Sequence, residues 1–371
     1  MEKKGMEKTH LYLTIHDIHG QGGTERVVMN LCHLFYKKFD ITIISYLSEK
    51  STLLAPLPQN TKIIYLNHTF PKAFLSKLKF NLLINSKLSN ERNILIANCN
   101  HFFPFIKKPL TTYIRLEHYN FDFLFKKYRH KSPLYPRVRF FDIFVILSSF
   151  EKKLYAKLHK NIKVIPNFLP FISQQNTDSN QHRIISVGRL SAEKGFLRLI
   201  DIWGKVQERI KAGLESKKES NLESWQLVIV GSGVLQEQIE SKIKEKNLHH
   251  TITLKPFTKD IESEYLNASI YAMTSHFEGF GMVLVEASSY ALPCVAFDIA
   301  AGPSDIIESG VSGYLIEDND LQDYADKLID LMSDKQKRES MGLQAKQRVK
   351  ERFSKEAIMP LWEEVFRDES V

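Results

Sequence analysis

Short apolar runs alternate with helical patterns along most of this chain. Runs such as 41–47 (ITIISYL) and 93–98 (NILIAN) have the length and composition of buried strands. Segments such as 20–38 and 71–89 instead repeat apolar residues at helical spacing. Strands that alternate with helices in this way build parallel sheets that are covered on both faces. The pattern therefore predicts an α/β fold.

The apolar positions also predict which helix faces are buried. The helix within 20–38 should bury one stripe, made of Val27, Val28, Leu31, Leu34 and Phe35. The helix within 71–89 should bury another stripe, made of Phe74, Leu75, Leu78 and Leu82.

The length of 371 residues favours two domains. A polar stretch at 171–181 is poor in apolar residues and is the predicted linker between them. The N-terminal domain then covers 1–170, and the second domain covers 182–352. A final helix lies within 353–371, and Pro360 should kink or break it because proline has no amide N–H to donate.

A glycine turn between a strand and a helix is the most informative stretch. The strand 269–275 leads into a turn with two glycines, and a helical pattern then begins. Unpaired amide N–H groups and the helix dipole attract anions to such a helix start, and glycine lets a phosphate approach the backbone. The residues predicted to form this anion site are Gly279, Phe280, Gly281, Met282 and Val283.

Two carboxylates flank this turn. Glu278 precedes it, and Glu286 lies one turn into the helix. This arrangement suits a ligand with a phosphate in the middle and hydroxyl groups at both ends, such as a nucleotide sugar. The alternative is a buried helix start in which Glu286 is only solvated or salt-bridged.

A basic pair follows another strand. Gly188 and Arg189 come after the strand RIISV, and Lys194 lies five positions after Arg189 at a helix start. That spacing can bring a forked guanidinium and a compact ammonium onto one diphosphate. The alternative is a pair that flanks the helix by chance, although the positive end of the helix dipole disfavours cations there.

Two further glycine turns follow strands. Gly22 and Gly23 stand between the strand 11–16 and a helix, where they serve either a ligand or only a tight turn. Gly231 follows another strand, but a dinucleotide fingerprint would need glycine where Gln236 stands. The sequence therefore argues against a hydride-transfer enzyme.

Charge is unevenly distributed within the net charge of +8. Residues 1–170 hold 27 Lys and Arg against 11 Asp and Glu, whereas the remainder holds 24 against 32. Basic and aromatic residues interleave at 67–80, 101–108 and 119–141, which suits an anionic membrane surface. The alternatives are a solvated basic face over an aromatic core and a polyanion partner. No zinc finger, RNP pair or basic zipper points to nucleic acid.

Other motifs narrow the class of protein. Cys32, Cys99 and Cys294 are scattered without a CxxC pair, which argues against a disulfide framework or zinc site and for a reducing compartment. No apolar run reaches the roughly 18 residues of a spanning helix, and the charged N-terminus is unlike a signal peptide. The D-x-D at 318–320 is interpreted as a polar turn in which Asp320 caps the next helix, rather than as a metal site.

The segment HFEGFGMVLVEA, with Glu278 and Glu286 in an E-x7-E pattern, resembles the donor-site signature of retaining glycosyltransferases of family 4. The segments GRLSAEKG and GGTER resemble two further motifs of that family. The resemblance covers nearly the whole chain and is strongest over 183–316. It implies the GT-B fold, in which two Rossmann-like, doubly wound parallel-sheet domains face each other across a cleft and the last helix crosses back to the first domain.

The resemblance also implies roles for the charged residues. Glu278 would meet the hydroxyl groups of the donor sugar, and Glu286 would meet those of the ribose. Arg189, Lys194 and the amides of the glycine turn would hold the diphosphate and stabilise the charge of the leaving group.

Further donor contacts are implied by the same resemblance. Four glycines would lie beside the phosphates or the nucleotide, namely Gly22, Gly23, Gly188 and Gly231. The base is expected beside Phe257. His118 would approach the donor sugar, with Glu117 and Asn120 completing the pattern, although a lone histidine at a strand end is often structural.

The implied activity is transfer of a sugar, with retention, from a nucleoside diphosphate sugar to an acceptor hydroxyl, without a metal or other cofactor. UDP-hexoses or UDP-N-acetylhexosamines are the expected donors. Lipid-linked, lipopolysaccharide or capsule glycans are the expected acceptors, at the inner face of the cytoplasmic membrane. One rival is an epimerase or hydrolase of the same fold, which would consume donor without an acceptor. The other is a polyanion-binding scaffold, which would tolerate loss of Glu278 and Arg189.

Overall fold

A computed structural model describes residues 9–20, 22–47, 53, 55–67, 74–99, 102–121, 137–215 and 222–367. The chain divides into two compact units. The first comprises Met1–Pro170 together with Ile358–Val371, and the second comprises Phe171–Ala357. Each unit is built on a parallel sheet, which confirms the predicted α/β class.

The first unit contains a seven-stranded sheet with the order β3-β2-β1-β4-β5-β6-β7. Its strands are β1 (His10–Ile15), β2 (Asp40–Ser45), β3 (Lys62–Tyr65), β4 (Asn93–Ala97), β5 (Thr111–Leu116), β6 (Ile143–Ile146) and β7 (Ile162–Val164). The strand order reverses between β1 and β4, which are parallel neighbours. Open α/β sheets bind ligands at such a reversal, beyond the carboxyl ends of the strands.

The helices of the first unit confirm one predicted face and correct the other. They are α1 (Gly23–Phe35), α2 (Phe74–Asn85) and α3 (Lys152–Tyr155), within the described ranges. All five predicted stripe residues of α1 are buried. In α2, however, Leu75 and Leu82 are exposed whereas Phe80 and Ile84 are buried, and the side chain of Phe74 lies outside the description. Apolar residues surround α2, so their spacing does not select one face.

The second unit contains a six-stranded sheet with the order β10-β9-β8-β11-β12-β13. Its strands are β8 (Arg183–Val187), β9 (Gln226–Val230), β10 (Ile252–Lys255), β11 (Ile270–Met273), β12 (Cys294–Asp298) and β13 (Gly313–Glu317). The order reverses between β8 and β11, which pair in parallel. This unit therefore also has a topological switch point.

Helices cover the sheet of the second unit. They are α4 (Phe196–Glu215), α5 (Gln236–Glu245), α6 (Ile261–Leu266), α7 (Met282–Ser289), α8 (Pro303–Ile306), α9 (Leu321–Ser333) and α10 (Lys335–Arg352). Trp203, Trp225 and Tyr324 are fully buried in the core. Within the described ranges, no helix combines the length and the apolar character that crossing a bilayer requires. Cys32, Cys99 and Cys294 are free thiols.

The last helix, α11 (Lys355–Arg367), runs through Pro360, so the predicted break does not occur. Most of α11 belongs to the first unit. There the ring of Phe35 lies 6.1 Å from that of Trp362 and 5.3 Å from that of Phe366. This packing offsets the backbone hydrogen bond that proline cannot make.

The polar stretch 171–181, predicted as a linker, is attached to the second unit by hydrogen bonds. The amide of Thr177 donates to the carbonyl of Tyr290 at 2.8 Å. The buried guanidinium of Arg338 in α10 donates to the carbonyl of Ser179 at 2.9 Å. Low hydrophobicity therefore does not leave this stretch unattached, because its backbone carbonyls are satisfied by partners in the second unit.

Candidate active site

Loops that follow β8 and β11 lie side by side at the switch point of the second sheet. Both strands are parallel neighbours, so their carboxyl ends reach the same edge. The amide of His276, after β11, donates to the carbonyl of Glu193, after β8, at 2.8 Å. This contact brings together two of the sequence motifs.

The loop after β8 carries Gly188, Arg189 and Lys194. A short 3-10 turn, Ala192–Lys194, precedes α4. Arg189 is exposed, and its guanidinium makes no hydrogen bond or ion pair with any residue in the described ranges. Lys194 is only partly exposed, and its Nζ lies 2.7 Å from Oε1 of Glu278. The structure therefore joins the cation predicted to bind phosphate to the carboxylate predicted to bind sugar.

Glu278 is held by two donors. Its side chain is buried, at 8% exposure. The same Oε1 accepts from Lys194 and from the hydroxyl of Ser275 at 2.6 Å. Hydrogen bonds to a charged group are the stronger ones, so this carboxylate has a defined orientation.

Arg198 supports this strand end and was not predicted. Its Nε donates to the carbonyl of Thr274 at 2.6 Å, and its Nη2 donates to the carbonyl of Ser275. Its Nη1 pairs with Asp318 at 2.7 Å, and its guanidinium lies over the ring of Phe297. A single arginine inside the apolar run FLRLIDIW was the signal that could have drawn attention to it.

The D-x-D at 318–320 is structural, as interpreted from sequence. Asp318 pairs with Arg198, and Asp320 caps α9 by accepting from the amides of Gln322 and Asp323. Across the ranges that the structure describes, no group of three or more His, Cys, Asp or Glu side chains is arranged to hold a metal ion.

The predicted anion site is the start of α7. Gly281 caps the helix in a left-handed conformation, with φ of 90°. The amides of Met282 and Val283 have no hydrogen-bond acceptor in the part of the chain that is described. Such amides, together with the helix dipole, favour an anion. The side chain of Phe280 instead faces the interior, where its ring lies 5.6 Å from that of Phe353.

Glu286 is buried within α7 and is hydrogen-bonded. The phenol of Tyr265 donates to its Oε2 at 3.3 Å. Tyr265 is itself fully buried and stacks on Tyr290. This carboxylate is therefore supported by neighbouring side chains rather than simply solvated.

Two glycine turns of the second unit approach each other closely. A Cβ on Gly231 would lie 1.9 Å from the carbonyl oxygen of Gly188, so only glycine fits. The next residue, Ser232, accepts the amide of Phe257 at 3.1 Å. Phe257 is about half exposed, at 48%, beside these turns.

The other predicted site residues lie in the first unit. Gly22 caps α1, and its amide donates to Oε2 of Glu25 at 3.0 Å. Gly23 has open space where a Cβ would stand. His118 follows β5 and bonds to Asn98, which follows β4.

Comparison with known proteins identifies the second unit. Residues 170–348 match the family model described as glycosyl transferases group 1. The chain is 26% identical over 391 residues to the amylovoran biosynthesis glycosyltransferase AmsD of Erwinia amylovora, covering 96% of this chain and 99% of that protein.

Solved structures show the same fold. TarM of S. aureus, in complex with fondaparinux, alpha-GlcNAc-glycerol and UDP, has a TM-score of 0.77 at 18% identity, covering 97% of this chain and 100% of that one. Anabaena HepE in complex with UDP and glucose has a TM-score of 0.74 at 19% identity, with 97% and 100% coverage. This likeness establishes the GT-B fold. Residues 170–348 are a glycosyl transferases group 1 domain.

Proposed function

We propose that this protein is a retaining glycosyltransferase of family 4 that moves a sugar from a nucleoside diphosphate sugar to a hydroxyl of a glycan acceptor. One observation carries the proposal most strongly. The Lys194–Glu278 pair, at 2.7 Å, stands at the switch point of a group 1 domain. A cation and a carboxylate in one buried contact match the two ends of a sugar diphosphate.

Each charged group has a role in this proposal. The amides of Met282 and Val283, with Lys194 and Arg189, bind the diphosphate. Glu278 binds hydroxyl groups of the transferred sugar. Glu286, oriented by Tyr265, binds the ribose, and the base lies by Phe257.

The chemistry follows from these roles. The bond between the anomeric carbon and the phosphate oxygen breaks, and a bond to the acceptor oxygen forms on the same face. The acceptor proton passes to the leaving phosphate. Lys194, Arg189 and the helix start stabilise the negative charge that develops there, in a preorganised site. We infer that these protein cations make a metal ion unnecessary.

The donor and acceptor classes rest on relatives. AmsD is an amylovoran biosynthesis glycosyltransferase, and TarM and HepE were solved with UDP. These names support a UDP-hexose or UDP-N-acetylhexosamine as donor. They also support a lipid-linked, lipopolysaccharide or capsule glycan as acceptor, at the inner face of the cytoplasmic membrane.

A panel of UDP-, GDP- and ADP-sugars tests the proposal by thermal shift and by nucleotide release, with and without EDTA. We expect one donor class to stabilise the wild type, Glu286→Ala to lose that stabilisation, and turnover to require an acceptor but no metal. Donor consumption without any acceptor would point to an epimerase or hydrolase. Failure of every nucleotide sugar to bind would favour the polyanion scaffold.

Replacing Ser275 with alanine should separate sugar binding from nucleotide binding. The change removes one of the two printed donors to Oε1 of Glu278. We expect affinity for the nucleotide sugar to fall about tenfold, as for a charged hydrogen bond, with little change in UDP affinity. Calorimetric titration with both ligands measures the difference, and Ser241→Ala, at an exposed position on α5, is the control. An unchanged preference for the sugar nucleotide would contradict the role of Ser275.

We also propose that the first unit contacts an anionic membrane surface. Parts of the basic aromatic segments, 68–73, 101 and 122–136, lie outside the described residues. In the described part, Phe150 and Leu154 are exposed beside the exposed cations Lys152 and Lys153. Apolar side chains among lysines suit an interface with anionic headgroups.

Vesicle flotation tests this contact. We expect binding to anionic vesicles that decreases as salt is added, because screening shortens the reach of surface charges. The double substitution Phe150→Ser, Leu154→Ser should weaken binding further. Equal flotation with neutral vesicles, or binding that ignores salt, would argue against the proposal.

A further inference from the structure

His118 and Asn98 meet at the carboxyl edge of the first sheet. Asn98 directly follows β4, and His118 comes two residues after β5. The two strands are parallel neighbours, so both residues reach the same edge. Nε2 of His118 lies 3.0 Å from Oδ1 of Asn98, whose side chain is buried.

The orientation of the Asn98 amide is fixed by a second contact. Its Nδ2 donates to the carbonyl of Ile96 at 3.2 Å, so Oδ1 must face His118. Its backbone amide is also tied, to the carbonyl of Thr14 at 3.2 Å. An amide oxygen only accepts hydrogen bonds. The proton of the shared contact therefore resides on Nε2 of His118.

The surroundings keep this ring neutral. Burial and the positive charge of Arg115 lower the pKa of His118 to about 3. Arg115 is itself buried and pairs with Glu117 at 3.0 Å. Glu117 fixes the backbone by accepting the amide of His118 at 3.1 Å. The other titratable groups buried nearby are Glu151 and Tyr155, from the turn after β6.

A neutral ring with its proton on Nε2 has a lone pair on Nδ1. Nδ1 has no hydrogen-bond partner among the residues that the structure describes. We propose that Asn98 is a positioning residue that fixes His118 in the Nε2–H form, so that Nδ1 only accepts a hydrogen bond from a sugar hydroxyl of the substrate. The choice of a sugar hydroxyl rests on the proposed function, whereas the choice of tautomer does not.

Nuclear magnetic resonance of protein labelled with ¹⁵N-histidine tests the tautomer directly. The chain has 13 histidines, so His118→Gln identifies the signal. We expect the wild-type ring to show a protonated Nε2 and a bare Nδ1, from about pH 8 to about pH 5, where an ordinary histidine gains charge. A wild-type ring with its proton on Nδ1, or one that is charged at about pH 5, would overturn the proposal.

Two substitutions of Asn98 complete the spectroscopic test. Asn98→Leu keeps the volume but removes the acceptor, and both tautomers should then appear. Asn98→Asp places a carboxylate beside Nε2–H, and the ring should then gain charge near neutral pH. Persistence of the single wild-type tautomer in Asn98→Leu would show that Asn98 does not set it.

Transfer kinetics test the substrate part. In Asn98→Asp, kcat/KM should fall at least tenfold as the pH drops through the new titration, because a charged ring cannot accept. The wild type should show no such loss over the same range. The assigned tautomer together with unaffected kinetics would overturn the sugar-hydroxyl role alone. Failure of the wild type to bind any nucleotide sugar would instead overturn the proposed function and leave the spectroscopic result standing.

Discussion

Replacing Lys194 with alanine is expected to weaken binding of the donor nucleotide sugar by about 10- to 150-fold, or about 1.5–3 kcal/mol. The reason is twofold. The lysine supplies a charged hydrogen bond to the diphosphate, and it pairs with the buried Glu278 in the structure. Its removal leaves that carboxylate with less support, so the loss should lie at the upper end of the range.

Replacing Arg189 with alanine should also cost about 1.5–3 kcal/mol, but at the lower end, because this side chain is exposed. Isothermal titration calorimetry with the donor measures both changes. Lys211→Ala is the matched control, since Lys211 is an exposed lysine near the opposite end of α4. Unchanged donor affinity in either site variant would remove that residue from the site.

Replacing Gly302 with alanine is expected to destabilise the second unit by more than about 4 kcal/mol, a loss that only a few mechanisms produce. Gly302 has φ of 99°, and a Cβ there would lie 2.1 Å from the carbonyl oxygen of Phe280. The collision therefore adds to the backbone strain. It would also push the turn that starts α7 out of position, so donor binding should fail with it.

Gly310→Ala separates the two causes. Gly310 has φ of 81° but open space around its Cβ position, so alanine should cost only the strain of about 1–2 kcal/mol. Urea unfolding followed by tryptophan fluorescence measures both variants in a Trp362→Phe background, where Trp203 and Trp225 report on the second unit alone. Similar losses at the two glycines would show that the close approach to Phe280 is relaxed at little cost.

Local signals explain why so much of the second unit was predicted. The strand before Glu278, the glycines after it and the helix start at Met282 are all encoded within one short stretch, and the structure confirms each. The pairing of Lys194 with Glu278 was not predicted, because it depends on β8 and β11 being neighbours. A single sequence does not report strand order directly.

Arg198 was missed for a related reason. Its partners Thr274, Ser275 and Asp318 are distant in sequence, and an arginine in an amphipathic helix usually faces solvent. The face of α2 failed because buried asparagines compete with leucine for the interior. Asn81 and Asn85 are buried there, and both bond to the backbone of Ile106.

The position of α11 has a consequence for how the protein is made. The ribosome releases the chain from its N-terminus, and α1 then presents Phe35 long before Trp362 and Phe366 have been synthesised. The whole second unit emerges in between. Domains generally fold as units during synthesis. We therefore expect the nascent first unit to wait with an uncovered aromatic patch, so that the unit translated first is the last to finish folding.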